Sequence, residues 1–476
     1  MLIGQTAINF LANVFSAAFG LLNVVVFTRY FAPAEYGIYV LGAGFAAVVS
    51  MFLSSWLRLP IMREQARGDG SDVRGLVLAG FVLSCTIGPA TYIVARLVGL
   101  APLAAATAVC FALSLSYYEI LQELLRARLQ AFTMMKATMV RAVLVPSLGL
   151  AFAMLGESGV LLLASSTLAY LLAAFVFTRN VWRGVALAFD RSRLLKLAIS
   201  GLPLTLALTL IAVSSVIDRF IVAYFAGAAQ AGEYTAGVDL IRQTLIMPAI
   251  SLASDFFPMA VHILANRGTA AVRQHLEECL ELLTAITLPA SVGLAITSAH
   301  VANIVLGPEF RSMATQTMPI VSMAVIFQIL NYQYLHISFL LSNRNAFYLV
   351  NTGSTIAFNI VLACLLVSHF GPIGAAWARL AAEMFGFFGA VILSRWAFPV
   401  PLAFGRLAFV LLATIVMAIA VKGLDMFVVG TDSFALAILI PAGVIAYVGA
   451  CLLTNVANAR DRLQRGVLVL RNILAS

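Results

Sequence analysis

The chain has 476 residues, 62% of them hydrophobic and only 10% charged, with a formal net charge of +9. Soluble domains carry about 25% charged residues, so this composition, with a mean hydropathy of +1.01, excludes a soluble enzyme and a disordered chain alike. Apolar stretches of about 20 residues recur from end to end, each long enough to cross a hydrocarbon core of roughly 30 Å. They are continuous rather than alternating, which excludes a β-barrel. The fold class is therefore an all-α polytopic membrane protein.

Fourteen transmembrane helices are predicted, near 5–27, 36–57, 75–95, 102–124, 137–155, 159–178, 197–221, 232–257, 276–299, 313–340, 347–367, 373–394, 406–427 and 433–453. The longest gaps, around 58–74 and 179–196, leave no room for a water-soluble catalytic domain, so neither an enzyme nor a cofactor is expected. The first span has no basic residue ahead of it and outruns the apolar region of a cleaved signal, about 7–15 residues.

The positive charges set the orientation. The even-numbered loops and the tail carry Arg58, Arg63, Arg67, Arg74, Arg126, Arg128, Lys136, Arg141, Arg179, Arg183, Arg191, Arg193, Lys196, Arg267, Arg273, Arg344, Arg395 and Arg406, then Arg460, Arg462, Arg465 and Arg471. The opposite side carries Arg29, Arg96, Arg311 and Lys422, and Arg219, Arg242 and Arg379 fall inside spans. Basic loops stay cytoplasmic, so both termini are expected inside. The charge excess then needs no nucleic-acid partner and adds an attraction to anionic membrane lipids.

Cys85, Cys110, Cys279, Cys364 and Cys451 all lie in apolar segments, are odd in number and form no C-x-x-C pair. They read as small core residues. The five scattered histidines make no metal spacing, so no metal site is expected.

The chain reads as a duplication. Tyr30-Phe31-Ala32-Pro33-Ala34-Glu35-Tyr36-Gly37 follows span 1, and Tyr224-Phe225-Ala226-Gly227 with Gly232-Glu233-Tyr234 follows span 7. Gly156-Glu157-Ser158-Gly159 opens span 6, and Gly371-Pro372-Ile373-Gly374 opens span 12. Spans 1–6 then correspond to spans 7–12 in the same orientation. That predicts two pseudo-symmetric six-helix bundles, 1–195 and 196–400, with spans 13 and 14 and a cytoplasmic tail in 401–476. A transport site is expected where the halves meet.

Several polar groups lie inside these spans. Gln5, Asn9, Asn13, Ser16, Gly20 and Asn23 fall on an arc of roughly 80° of a helix, which reads equally as helix packing or as the wall of a hydrated cavity. In span 7, Thr205, Thr209 and Arg219 share a face, with Asp218 beside it. Asp218 and Arg219 stand about as far before the turn near 230 as Asp239 and Arg242 stand after it, so the two sets are expected to meet across the hairpin. One reading is a self-neutralising structural network. The other has Arg219 and Arg242 holding an anionic headgroup while Asp218 or Asp239 gates or couples transport.

Arg379 and Glu383 in span 12 are i, i+4 and either pair or serve the same two tasks. Glu119 and Glu123, with Arg126 one turn on, read as a surface ion-pair ladder. Asn331-Tyr332-Gln333-Tyr334 followed by His336 suits either a sugar or a polar helix contact. Prolines 146, 203, 248, 289 and 319 predict kinks.

The Tyr-Phe-Ala-x-x-Glu-Tyr-Gly-x-Tyr run at Tyr30–Tyr39 and the run from Asp218-Arg219 to Gly232-Glu233-Tyr234 resemble the polysaccharide-biosynthesis exporters. These are lipid-linked oligosaccharide flippases (O-antigen or exopolysaccharide exporters) of the multidrug/oligosaccharidyl-lipid/polysaccharide exporter superfamily. The resemblance implies two six-helix bundles around a central cavity, alternating access, and a polyprenyl-pyrophosphate-linked glycan moved from the cytoplasmic to the outer leaflet of a bacterial inner membrane. The family's basic cavity residues carry over to Arg219 and Arg242 first, then to Arg29 and Arg379. A polysaccharide polymerase is the partner it suggests, and a monomer the expected state. The absence of basic residues before span 1 departs from the family's pattern. A multidrug cation antiporter or a peptidoglycan-precursor flippase of the same superfamily would share the fold. A membrane glycosyltransferase or polymerase would need catalytic carboxylates on a large loop, which this chain lacks.

Overall fold

The structure, a computed structural model, describes residues 2–67, 73–128, 130–178, 181–185 and 189–454, and leaves undescribed the side chains at 2–14, 59–60, 62–67, 73, 177–178 and 203–204. Every regular element among the described residues is helical. The helices are α1 (Leu2–Tyr30), α2 (Pro33–Arg67), α3 (Val73–Cys85), α4 (Gly88–Leu97), α5 (Pro102–Ala127), α6 (Ala131–Ala153), α7 (Gly159–Thr178) and α8 (Arg191–Ile241). A π turn at Arg242–Ile246 leads to α9 (Met247–Ala253), α10 (Phe256–Ile296), α11 (Ser298–Val305) and α12 (Pro308–Ile329). A second π turn, Leu330–Leu335, precedes α13 (His336–Leu341), α14 (Asn345–Phe370), α15 (Pro372–Trp396), α16 (Phe404–Asp425) and α17 (Asp432–Thr454).

Local chemistry places many of these boundaries. Proline opens α2, α5, α12 and α15, where its missing N–H would have no helical acceptor. Asp190 caps α8 by accepting from the Ser192 and Arg193 amides. The first π turn lies just ahead of Pro248, which cannot donate to the Thr244 carbonyl, so the helix regains its register by widening.

At 51 residues, α8 would be about 76 Å long if straight, more than twice a hydrocarbon core. It does not run straight. Gly227 takes φ +90 and ψ 168, a conformation open to glycine and costly for other residues, and there the chain turns back on itself. Gly268 breaks α10 in the same way, at φ 77.

Two compact units result. The first contains the chain up to Gln243 together with Leu306–Phe310 and Ala363–Ala375; the second contains Thr244–Val305, Arg311–Leu362 and the chain from Ala376 onward. In the first unit α2 packs on α5 and α8, and α6 packs between α1 and α7, over a core that includes Leu57, Ile61, Leu121, Leu124 and Leu125. In the second, α16 packs against α10 and α17 around Met417, Val421, Ala435 and Leu439.

Among the described residues, ten helical stretches are long and apolar enough to cross a membrane, or eleven if the bent pair Arg74–Cys85 and Gly88–Leu97 is one crossing. The sequence expects fourteen crossings, and the stretch Thr205–Ile296 takes in three of them, divided at Gly227 and Gly268. In α1 the described apolar part is Phe15–Tyr30. All five cysteines are free, and Cys110 is exposed rather than in a core.

Candidate functional site

The hairpin at Gly227 brings the first predicted group together. Arg219 Nη2 lies 3.2 Å from Asp239 Oδ1, and Arg219 Nη1 donates to the Val40 carbonyl of α2 at 3.4 Å. Tyr234 donates to Asp218 Oδ2 at 3.5 Å. Asp218 and Arg219 are 3% and 7% exposed, so the pair is largely withdrawn from water, and Asp239 offsets the arginine's charge. Arg242 sits half-buried in the π turn, and Arg29 is exposed in the last turn of α1.

The duplicated motif glycines meet beside this hairpin. A Cβ on Gly232 would lie 2.3 Å from the Pro33 carbonyl oxygen and 2.9 Å from the Gly37 nitrogen, and one on Gly37 would lie 1.9 Å from the Ala228 oxygen. In this place the motif is a helix-crossing device. Glu35 of the same motif accepts from the Gly159 amide at 2.7 Å, so a carboxylate from α2 satisfies an orphan N–H at the start of α7 and complements its dipole.

Sequence reading placed Arg141 in a basic loop. The structure corrects this, because α6 begins at Ala131 and carries Arg141 into mid-helix. Its Nη1 donates to Tyr170 Oη at 2.7 Å and its Nη2 to Ser16 Oγ at 2.9 Å. The guanidinium lies over the Tyr118 ring at 5.6 Å and the Tyr170 ring at 5.1 Å. Ser16 belongs to the polar stripe of α1, on which Asn23 is half-buried with no donor to its Oδ1 among the described residues. Gln5, Asn9 and Asn13 of that stripe have side chains outside the described residues. The missed signal was the placement of one helix start: with α6 beginning at Ala131 rather than near 137, Arg141 moves from the edge of the predicted span to mid-helix.

Glu119 does not form the surface ladder expected of it. It turns inward to Arg58, whose Nη1 lies 2.6 Å from Oε2, and accepts from Ser54 at 3.1 Å. Glu123 alone pairs with Arg126, at 2.9 Å.

In the second unit, Arg379 and Glu383 are one turn apart on α15 and both buried, and Arg379 Nη2 donates to Gln328 Oε1 at 3.3 Å. The Asn331–His336 segment forms the π turn and its exit. Asn351 donates to the Gly386 carbonyl at 2.9 Å, which leaves its Oδ1 to accept from His336 Nε2 at 2.8 Å. Asn331 and His336 are 0% and 1% exposed, so neither offers a hydrogen bond to a sugar in this conformation. A third cluster was not anticipated: His300 Nδ1 lies 2.7 Å from Asp432 and Nε2 lies 2.9 Å from Asp425. Among the described residues, no group of His, Cys, Asp and Glu is arranged to hold a metal ion.

Comparison with known families decides the lineage. Residues 26–315 match the family of polysaccharide biosynthesis proteins. The chain belongs to that family. No curated protein matches it closely. Among solved structures, the lipid II flippase MurJ in an inward closed conformation is similar over 95% of this chain and 99% of its own, with a TM-score of 0.79 at 14% identity. An inward-facing multidrug resistance MATE transporter of the MOP superfamily is similar over 82% and 94%, with a TM-score of 0.60 at 15% identity. A MOP superfamily transporter from Pyrococcus furiosus, described as having a binding pocket of reversed polarity, covers 82% and 92% at a TM-score of 0.51 and 16% identity. This member of the polysaccharide biosynthesis family thus has the fold of MurJ and the MATE transporters, and is a multi-pass membrane protein.

Proposed function

We propose that this chain is a flippase that carries a polyprenyl-diphosphate-linked oligosaccharide, a polysaccharide repeat unit, from the cytoplasmic to the outer leaflet by alternating access. The observation that carries the reading is membership of the polysaccharide biosynthesis family in a chain whose fold is that of transporters. The lipid tail can stay in the bilayer, so only sugars and a diphosphate need shelter. Arg242, Arg29 and Arg379 are the proposed headgroup contacts, with Arg219 contributing only when its pair with Asp239 opens. The α1 stripe of Gln5, Asn9, Asn13 and Asn23 is the proposed hydrated wall, and Asp218, Asp239 and Glu383 are the groups proposed to gate or couple the cycle. Outward movement of a dianion down an inside-negative potential is favourable by about 2.3 kcal/mol per charge per 100 mV, so no nucleotide is required. The proposed setting is a bacterial inner membrane, with both termini cytoplasmic, the protein a monomer and a polymerase taking the product.

The likeness to MurJ supports a second reading, a peptidoglycan-precursor flippase. Disrupting the gene separates the two. On the first reading, lipid-linked oligosaccharide accumulates and one surface polysaccharide stops while peptidoglycan synthesis continues; arrest of peptidoglycan synthesis would favour the second. A multidrug antiporter fits less well, because cationic cargo calls for an acidic interior and here the in-span arginines nearly balance the acids.

A further inference from the structure

We propose that His300 is a proton-operated clasp: as an imidazolium it ties the turn of the α16–α17 hairpin to α11, and on losing its proton it lets that turn go. The parts lie within the second unit and involve no cargo, so the inference stands apart from the flippase reading. His300 is carried by the short helix α11. Its Nε2 lies 2.9 Å from Oδ1 of Asp425, the last residue of α16, and its Nδ1 lies 2.7 Å from Oδ1 of Asp432, the first residue of α17. A neutral imidazole carries one N–H, and its second nitrogen offers a lone pair. Only the protonated ring donates to both carboxylates; the neutral ring must turn a lone pair towards one of them.

The rest of the hairpin is held differently. At its open end Arg406 Nη1 lies 3.2 Å from Glu281 Oε2, and Tyr447 donates to the Ala285 carbonyl at 2.7 Å. Neither contact involves a group that ordinarily titrates between about pH 5 and 9. At the turn, Met426, Phe427 and Val429 are 73%, 80% and 90% exposed, and Leu424 and Val428 pack only partly buried against the core around Met417 and Leu439. Apolar burial there is slight, so the two charge-assisted bonds of His300 carry the closure. Other charges face the clasp. Lys422 of α16 lies 3.3 Å from Asp425, Asn303 of α11 donates to Asp432, and Arg311 of α12 adds positive charge beside it. Lysine and arginine keep their charge in that pH range and aspartates stay ionised, so His300 is the group that changes. Asp425 stands at the carboxyl end of α16, where the helix dipole disfavours an anion, so loss of the imidazolium leaves it poorly placed. The two carboxylates raise the pKa of His300, Asp425 contributing most, so release comes above about pH 6.5. On the topology proposed above this turn lies on the outer face, and outside pH sets how far the hairpin can move.

The test is hydrogen–deuterium exchange of the purified full chain in detergent, read on peptides covering 424–435 and corrected for the intrinsic pH dependence of amide exchange. The Phe427, Val428 and Ala435 amides are hydrogen-bonded in the closed turn, so their exchange reports its opening. In wild type the corrected rate is expected to rise about tenfold or more between about pH 5.5 and 9. His300→Gln should exchange fast at both pH values, and His300→Arg, which keeps its charge, slowly at both. A wild type without the step, or a His300→Gln protein that keeps it, overturns the clasp. Should His300→Gln not fold, Asp432→Asn, which leaves one carboxylate partner, is expected to move the step to lower pH by about one unit; an unmoved step overturns the proposal just as surely.

Discussion

Arg219 and Asp239 are twenty positions apart in the sequence and 3.2 Å apart in space. On a straight helix they would be about 30 Å apart, so this one contact reports both the fold-back at Gly227 and the fate of the most prominent intramembrane charge. An arginine expected to greet an anionic cargo is occupied by a neighbouring carboxylate and by a carbonyl of α2.

This pairing predicts a thermodynamic signature. Removing one partner of a largely buried pair strands the other, at a cost of about 3–5 kcal/mol. Arg219→Ala and Asp239→Ala are each expected to lower the unfolding midpoint strongly, whereas the double variant loses clearly less than the two combined. Equilibrium unfolding in mixed micelles measures the cycle, and strict additivity would contradict the pairing.

The Gly232 crossing predicts a steric penalty. A Cβ there would sit 2.3 Å from a backbone oxygen, and backbone cannot yield as a side-chain tip can. Gly232→Ala is expected to cost about 1–3 kcal/mol, and Gly353→Ala, which meets nothing within 4 Å, no more than a few tenths, since alanine favours the helix. Thermal unfolding of both variants compares them directly.

The Glu35 contact predicts a graded series. Glu35→Gln keeps an acceptor for the Gly159 amide but loses the charge that complements the α7 dipole, and Glu35→Ala loses both. Losses of about 0.5 and 1 kcal/mol respectively are expected, and unfolding midpoints at low ionic strength should rank the three proteins in that order.

His300 predicts a pH dependence. The Asp425 and Asp432 carboxylates at its two nitrogens raise its pKa above the ordinary value, Asp425 contributing most. A group whose pKa is raised by folding stabilises fully below its unfolded value, about 6.5, and the contribution disappears as pH rises through the folded value. The wild type should therefore outmelt His300→Gln by most between about pH 5 and 6.5, and the gap should narrow as the solution turns alkaline. A gap that widened with pH would contradict the assignment.

Much of the fold was legible in the sequence because membrane crossing leaves a coarse and redundant mark, and the helices follow the apolar runs. The hairpin between the two Asp–Arg sets was legible from distance along the chain alone. What was not legible depends on exact boundaries. Arg141 moves from the edge of a predicted span to mid-helix with the start of a single helix, and Glu119 pairs with Arg58, 61 positions away, rather than with Arg126 on its own helix. His300, Asp425 and Asp432 are united only by tertiary packing, which no local period encodes. The motif glycines drew attention as a repeat, and their packing role follows from contacts between segments about two hundred residues apart.

The central claim is that this chain moves an anionic, lipid-linked glycan across a bilayer. Reconstituting it in liposomes with a fluorescent polyprenyl-diphosphate oligosaccharide, and adding a membrane-impermeant quencher, tests that directly. The account predicts that the protected inner-leaflet fraction becomes accessible in protein-containing vesicles, faster when the potential favours anion exit, and stays protected in empty ones. Vesicles that leave this lipid in place yet exchange an organic cation for protons would contradict it.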